Sequence, residues 1–98
     1  MNILITEKYK IVCKGKIFYN TPSYDEPNDW HTENVKWQKT LNGADVIKFF
    51  TDQLQLDDLW ECHIEDNKIY LGYFKPETGE GNDFTYTITF VPKKKKGE

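Results

Sequence analysis

The chain has 98 residues, 38% of them hydrophobic and 15% aromatic, with 13 basic against 16 acidic side chains and a formal net charge of −3. That length makes one domain that buries roughly 60 to 65% of the unfolded chain's surface, and the composition excludes a disordered chain. No apolar run approaches the ~18 residues of a spanning helix, so no membrane partner is expected. The opening residues, MNILITEKYK, carry no basic region ahead of their apolar stretch and no small-residue cleavage site. The sequence therefore predicts no secretory signal and a cytoplasmic protein. All thirteen basic residues are lysines, and Ala and Ser occur once each, whereas Asn, Ile, Phe and Tyr are abundant. AT-rich codons dominate such a list, pointing to a low-GC bacterium or to a phage or mobile element within one.

In chain order, residues 3–13 and 16–19 alternate as strands that meet at Lys14 and Gly15, where glycine supplies the positive φ of a tight turn. The alternative is one long strand with a bulge at Gly15. Either way Tyr9, Ile11 and Cys13 share one face and Lys8, Lys10 and Lys14 the other. Residues 20–32, NTPSYDEPNDWHT, form a thirteen-residue connection. A further strand over 34–41 turns Val35, Trp37 and Leu41 inward. A helix over 43–55 follows, with Asn42 as its cap and Asp45 in the favourable first turn. Val46, Ile47, Phe49, Phe50 and Leu54 fall within an arc of roughly 160° at helical spacing, a face that packs flat on a sheet. Residues 58–92 read as a three-stranded antiparallel meander. Trp60, Cys62 and Ile64 alternate against Glu61, His63 and Glu65, a short turn follows at Asp66 and Asn67, residues 69–74 pair back, and Phe84, Tyr86, Ile88 and Phe90 alternate with threonines.

The fold expected is α+β, a single domain over 1–92 in the order β-β-β-α-β-β-β. Its antiparallel sheet of about five to six strands carries one helix on one face, and a disordered lysine-rich tail follows at 93–98. Cys13 and Cys62 are too few for a disulfide framework, and both sit at apolar-facing positions where cysteine acts as a small hydrophobe.

Three surfaces compete for a function. The long connection combines Tyr24 and Trp30 with Asp25, Glu26 and Asp29, and residues 22–92 hold fourteen acids against five lysines. Aromatic anchors ringed by carboxylates suit a basic partner protein. Lys8, Lys10 and Lys14, with Lys93, Lys94, Lys95 and Lys96 in the tail, make the second surface, a non-specific nucleic-acid contact. The absence of arginine argues against base readout, because lysine lacks the rigid planar fork that fixes a two-point contact to guanine and stacks on bases. The blander account of the tail is a soluble end that guards a sheet edge. The third surface, Glu61, His63 and Glu65 on one strand face with His31 as a candidate partner, lies too widely spaced for metal or acid–base work, at about 6.5 to 7 Å between neighbours. No cofactor, metal site or catalytic residue is expected. The sequence thus predicts a non-enzymatic, intracellular protein-binding module suited to inhibiting a host defence protein on behalf of a phage or mobile element. Homodimerisation through an exposed edge strand stays open.

Overall fold

A computed structural model describes residues 2–92. Their elements run β1 (Lys8–Asn20), β2 (Trp30–Asn42), α1 (Gly43–Leu54), β3 (Leu59–Glu65), β4 (Lys68–Phe74) and β5 (Gly81–Val91). All pairings are antiparallel in one sheet ordered β2-β1-β5-β4-β3, so β1 joins a local β1–β2 hairpin to the β3–β4–β5 meander. The architecture is α+β as expected.

The strand count is five rather than six, because residues 3–7 turn before β1 begins and no turn interrupts β1 at Gly15. Gly15 pairs without slip to Val35 on one side and Phe84 on the other, so neither a reversal nor a bulge occurs there. Among the described residues Gly79 is the glycine with positive φ. What Gly15 supplies is room: a Cβ there would lie 2.0 Å from the carbonyl oxygen of Asp83. The sheet's irregularity lies instead between Leu59 and Glu61, where Trp60 is the extra residue. Strand β2 begins at Trp30, earlier than its apolar alternation announces, because the C-terminal half of β1 offers it a ladder to pair with. That shortens the long connection to residues 21–29.

The helix starts where its cap dictates. Asn42 Oδ1 accepts a 2.9 Å hydrogen bond from the Asp45 backbone N–H, and the Gly43 N–H donates to the Glu7 carbonyl at 2.8 Å. From this anchor Val46 and Phe50 enter the core with Tyr9, Ile11 and Cys13 of β1, Leu71 and Tyr73 of β4, and Tyr86 and Ile88 of β5. The Tyr86 ring meets Phe49 and Phe50 edge-on at 5.7 and 5.1 Å, and Trp37 closes the β2 side. Burial pushes the Tyr86 phenol and the Cys13 thiol upward, so both stay neutral and unreactive inside.

The apolar arc of the helix is broader than its contact. Ile47 and Leu54 are 43% and 45% exposed, because α1 lies over β1, β2 and Tyr86 and does not reach β3. For the same reason the expected inward face of β3 is open: Cys62 and Ile64 are exposed. The placement of Cys62 in an apolar interior is thereby corrected. Trp60 is also exposed, and its bulge turns the indole to the opposite sheet face, over Gly72.

Candidate functional site

Antiparallel order brings three connections to one end of the sheet: residues 21–29 between β1 and β2, 55–58 after α1, and 75–80 between β4 and β5. They hold seven acids (Asp25, Glu26, Asp29, Asp57, Asp58, Glu77 and Glu80) and a single lysine, Lys75. Sequence reasoning found the first three. The other four were legible only as isolated charges, since their gathering depends on β5 pairing with β1.

Hydrogen bonds order the 21–29 connection. Thr21 N–H donates to the Asp29 carbonyl at 2.9 Å and Asp29 N–H to Asn20 Oδ1 at 2.9 Å, while Ser23 and Glu26 close a turn through Ser23 N–H to the Glu26 carbonyl at 2.8 Å. Asp25 and Glu26 ride that turn exposed, and Tyr24 stands wholly in solvent. Trp30 neither joins the core nor floats free. It is 52% exposed, and its ring rests on the loop after β4, where a Cβ on Gly79 would come within 2.7 Å of the Trp30 six-membered ring. That loop is held by the Glu80 carbonyl, which accepts from Lys75 N–H, and by the Lys75 carbonyl, which accepts from Gly79 N–H, both at 2.7 Å. Gly79 has φ of 75°, a left-handed conformation that glycine adopts without steric cost. Trp30 thereby fastens two acidic loops into one surface.

A second cluster went unnoticed in the sequence. Thr21 Oγ1 lies 2.7 Å from His31 Nε2, and Asp29 Oδ2 lies 3.1 Å from Thr21 Oγ1 and 3.2 Å from the same imidazole nitrogen. This Thr, His and Asp set does not make a nucleophilic triad, because hydroxyl and carboxylate meet one nitrogen instead of opposite nitrogens of the ring. Its work is to pin the loop, with the His31 ring stacked on Tyr19 at 5.3 Å. Tyr19 donates to Glu33 Oε1 at 2.8 Å, and that bond to a carboxylate holds its phenol above the ordinary range.

The sheet face away from α1 carries the lysines. Lys8, Lys10, Lys14 and Lys16 alternate along β1 and are exposed, and Lys36 of β2 stands opposite Lys14. Lys16 was missed because a turn or bulge was expected at Gly15, and Lys36 because the register was not known. Thr85, Thr87 and Thr89 of β5 flank the row on its other side. Among the described residues the two ion pairs are both His–carboxylate, so these lysines have no acidic partner within salt-bridge reach. Lys93 to Lys96, expected from the sequence to extend this basic surface, lie outside the described residues. Further along this face, Tyr70 donates to Asp83 Oδ1 at 2.8 Å. Burial foremost, then that carboxylate, pushes the Tyr70 phenol up to about 12.

Glu61, His63 and Glu65 do share the outer face of β3. His63 Nε2 meets Glu65 Oε1 at 2.9 Å, a bond that holds the Glu65 carboxyl below its ordinary value. His31 belongs to the Thr21 cluster at the acidic end and does not join them. Among the described residues no three His, Cys, Asp or Glu side chains gather as metal ligands would.

No protein-family model matches the chain, and no curated protein and no solved structure matches it. Among the described residues no helix is long and apolar enough to cross a membrane.

Proposed function

We propose that the protein is a small non-enzymatic binding module that captures a basic partner protein through its acidic, aromatic end. The observation that carries this reading is the seat of Trp30 on Gly79, which turns two acidic loops into a continuous surface. A half-exposed indole held in place, a fully exposed Tyr24, and carboxylates around both match the arrangement of interface anchors, in which aromatic area supplies affinity and charge steers encounter. A composition with lysine but no arginine, rich in residues of AT-rich codons, suits a phage or mobile-element inhibitor of a host defence protein whose own surface is basic for nucleic acid, acting in the cytoplasm of an infected cell.

The test is Trp30→Ala combined with Asp25→Lys. Capture of the partner is abolished while the cooperative unfolding transition is kept. A complex indifferent to the pair of changes removes this end of the molecule from the function.

A second reading is favoured by the unpaired lysine row on β1 and β2, a strip long enough to track a nucleic-acid backbone. It requires affinity for single-stranded oligonucleotides that falls steeply with salt and a shallower slope in Lys10→Glu/Lys14→Glu. Absence of any retardation at low salt ends it.

A further inference from the structure

Below the C-terminal end of α1, where the helix stops short of the sheet's end, a cleft of about 420 Å³ opens on the helix-side face, within the range of ligand sites. Ile17 of β1, Phe84 of β5 and Tyr73 of β4 line it together with Leu56 from the segment after α1. Asn82 lies in β5 directly between Ile17 and Tyr73, and its Oδ1 is buried with no protein donor among the described residues. Buried acceptors are nearly always paired, and Asn82 lines the cleft, so its orphan Oδ1 marks where a donor from outside the chain is expected once the side-chain amide turns toward the cleft. Tyr73 does not serve it, since its hydroxyl is engaged by the carbonyl and Oε1 of Gln53 at 3.2 and 2.6 Å.

The electrostatics select the donor's charge. The last turn of α1 contains no basic residue, so the negative end of its dipole is uncompensated where it meets the cleft. Asp58 and Glu80 line the cleft as well, against Lys75 alone on the basic side. An anion is disfavoured on all but one of these counts. An apolar bed with a buried acceptor and negative walls fits a cation on a hydrocarbon stem.

We propose that this cleft receives an arginine side chain of the basic partner, its guanidinium donating to Asn82 Oδ1 and its methylenes lying on Ile17 and Phe84. The proposal rests on the protein-binding reading and names the group that the partner inserts. Guanidinium is preferred to ammonium because its planar array of donors reaches a fixed acceptor while other N–H groups face the carboxylates.

The test is an NMR titration of the full-length protein with a blocked Gly-Arg-Gly peptide, its citrulline counterpart and butylguanidinium. The signals followed are the Asn82 side-chain amide and the backbone amides of Ile17, Leu56 and Phe84. The arginine peptide is expected to shift them saturably and to bind at least about tenfold more tightly than the uncharged citrulline peptide. Asn82→Leu is expected to abolish the response. Should that variant fail to fold, Asp58→Lys/Glu80→Lys, which changes the rim alone, is expected to weaken binding by about tenfold. No response to arginine, an equal response to citrulline, or rim reversal without effect overturns the proposal. Butylguanidinium binding as tightly as the peptide overturns the assignment to a protein side chain. Failure here with loss of capture in the Trp30/Asp25 variant refutes the cleft and leaves the acidic-end reading standing, whereas retained capture in that variant removes the acidic end itself.

Discussion

Replacing Gly79 by alanine tests the seam between the two acidic loops. The substitution acts twice: it forces an L side chain into φ of 75°, and it places a methyl 2.7 Å from the Trp30 ring. The backbone share costs about 1 to 2 kcal/mol. The ring must also leave its seat. With Trp30 52% exposed, roughly half of an area of about 250 Å² is buried, an upper bound near 3 kcal/mol at about 25 cal/mol/Å². Gly79→Ala is therefore expected to cost about 2 to 4 kcal/mol in urea unfolding followed by circular dichroism. In a Trp30→Ala background the clash vanishes, and the same change is expected to cost only the backbone share, so a double-mutant cycle reads a coupling of about 1 to 2 kcal/mol. Equal cost in both backgrounds would refute the contact and, with it, the argument that Trp30 unites the loops.

Other consequences are simpler to read. Leu71→Ala, at the centre of β4 and fully buried, is expected to lose about 2 to 5 kcal/mol, whereas Ile64→Ala on the open edge stays within about 1 kcal/mol; comparable losses would mean that β3 is covered. A thiol reagent is expected to label the exposed Cys62 in the native protein and Cys13 only after unfolding, as mass spectrometry after proteolysis would show. The phenols of Tyr70, Tyr73 and Tyr86 are all raised in the folded state, Tyr70 to about 12. Above pH of about 10 the unfolded chain loses these protons and the folded chain keeps them, so their contribution is whole below 10 and is lost as pH rises toward 12. A denaturation midpoint that holds steady from pH 9 to about 11.5 would contradict that linkage.

The helix was legible because its signals are local: Asn42, Asp45 and the spacing of Val46, Phe49 and Phe50 all act within a few residues. The meander was legible for the same reason, through alternation in β5 and the short Asp66–Asn67 turn. Gly15 misled because glycine serves two ends, turning the chain or making room for it, and here the neighbour that needs room, Asp83, is far away in sequence. Cys62 and Ile64 misled because alternation identifies a face without saying whether anything covers it, and Trp60 misled because a bulge breaks the alternation and turns its ring to the other face. The candidate site divides along the same line. Tyr24, Asp25, Glu26, Asp29 and Trp30 are contiguous and were found. Asp57, Asp58, Glu77, Glu80 and Lys36 enter their surfaces only through strand order and register, Lys16 only because β1 runs unbroken through Gly15, and Asn82 acquires meaning only beside a cleft formed by three strands and the end of a helix.

The central position of β1 has a bearing on how the chain reaches its fold. Its β2 neighbour follows at once, but its other neighbour, β5, arrives some sixty residues later, and the ladder between them is the strand pairing that welds hairpin to meander. Each half can pair locally and early, whereas the weld must await a long loop closure, which places the slow step late and makes it depend on the last strand. On the ribosome β1 would spend most of synthesis with one naked edge. A truncation that removes β5 would leave two separate sheets, each with a naked edge, a species prone to pair with its own kind before it could ever bind anything else.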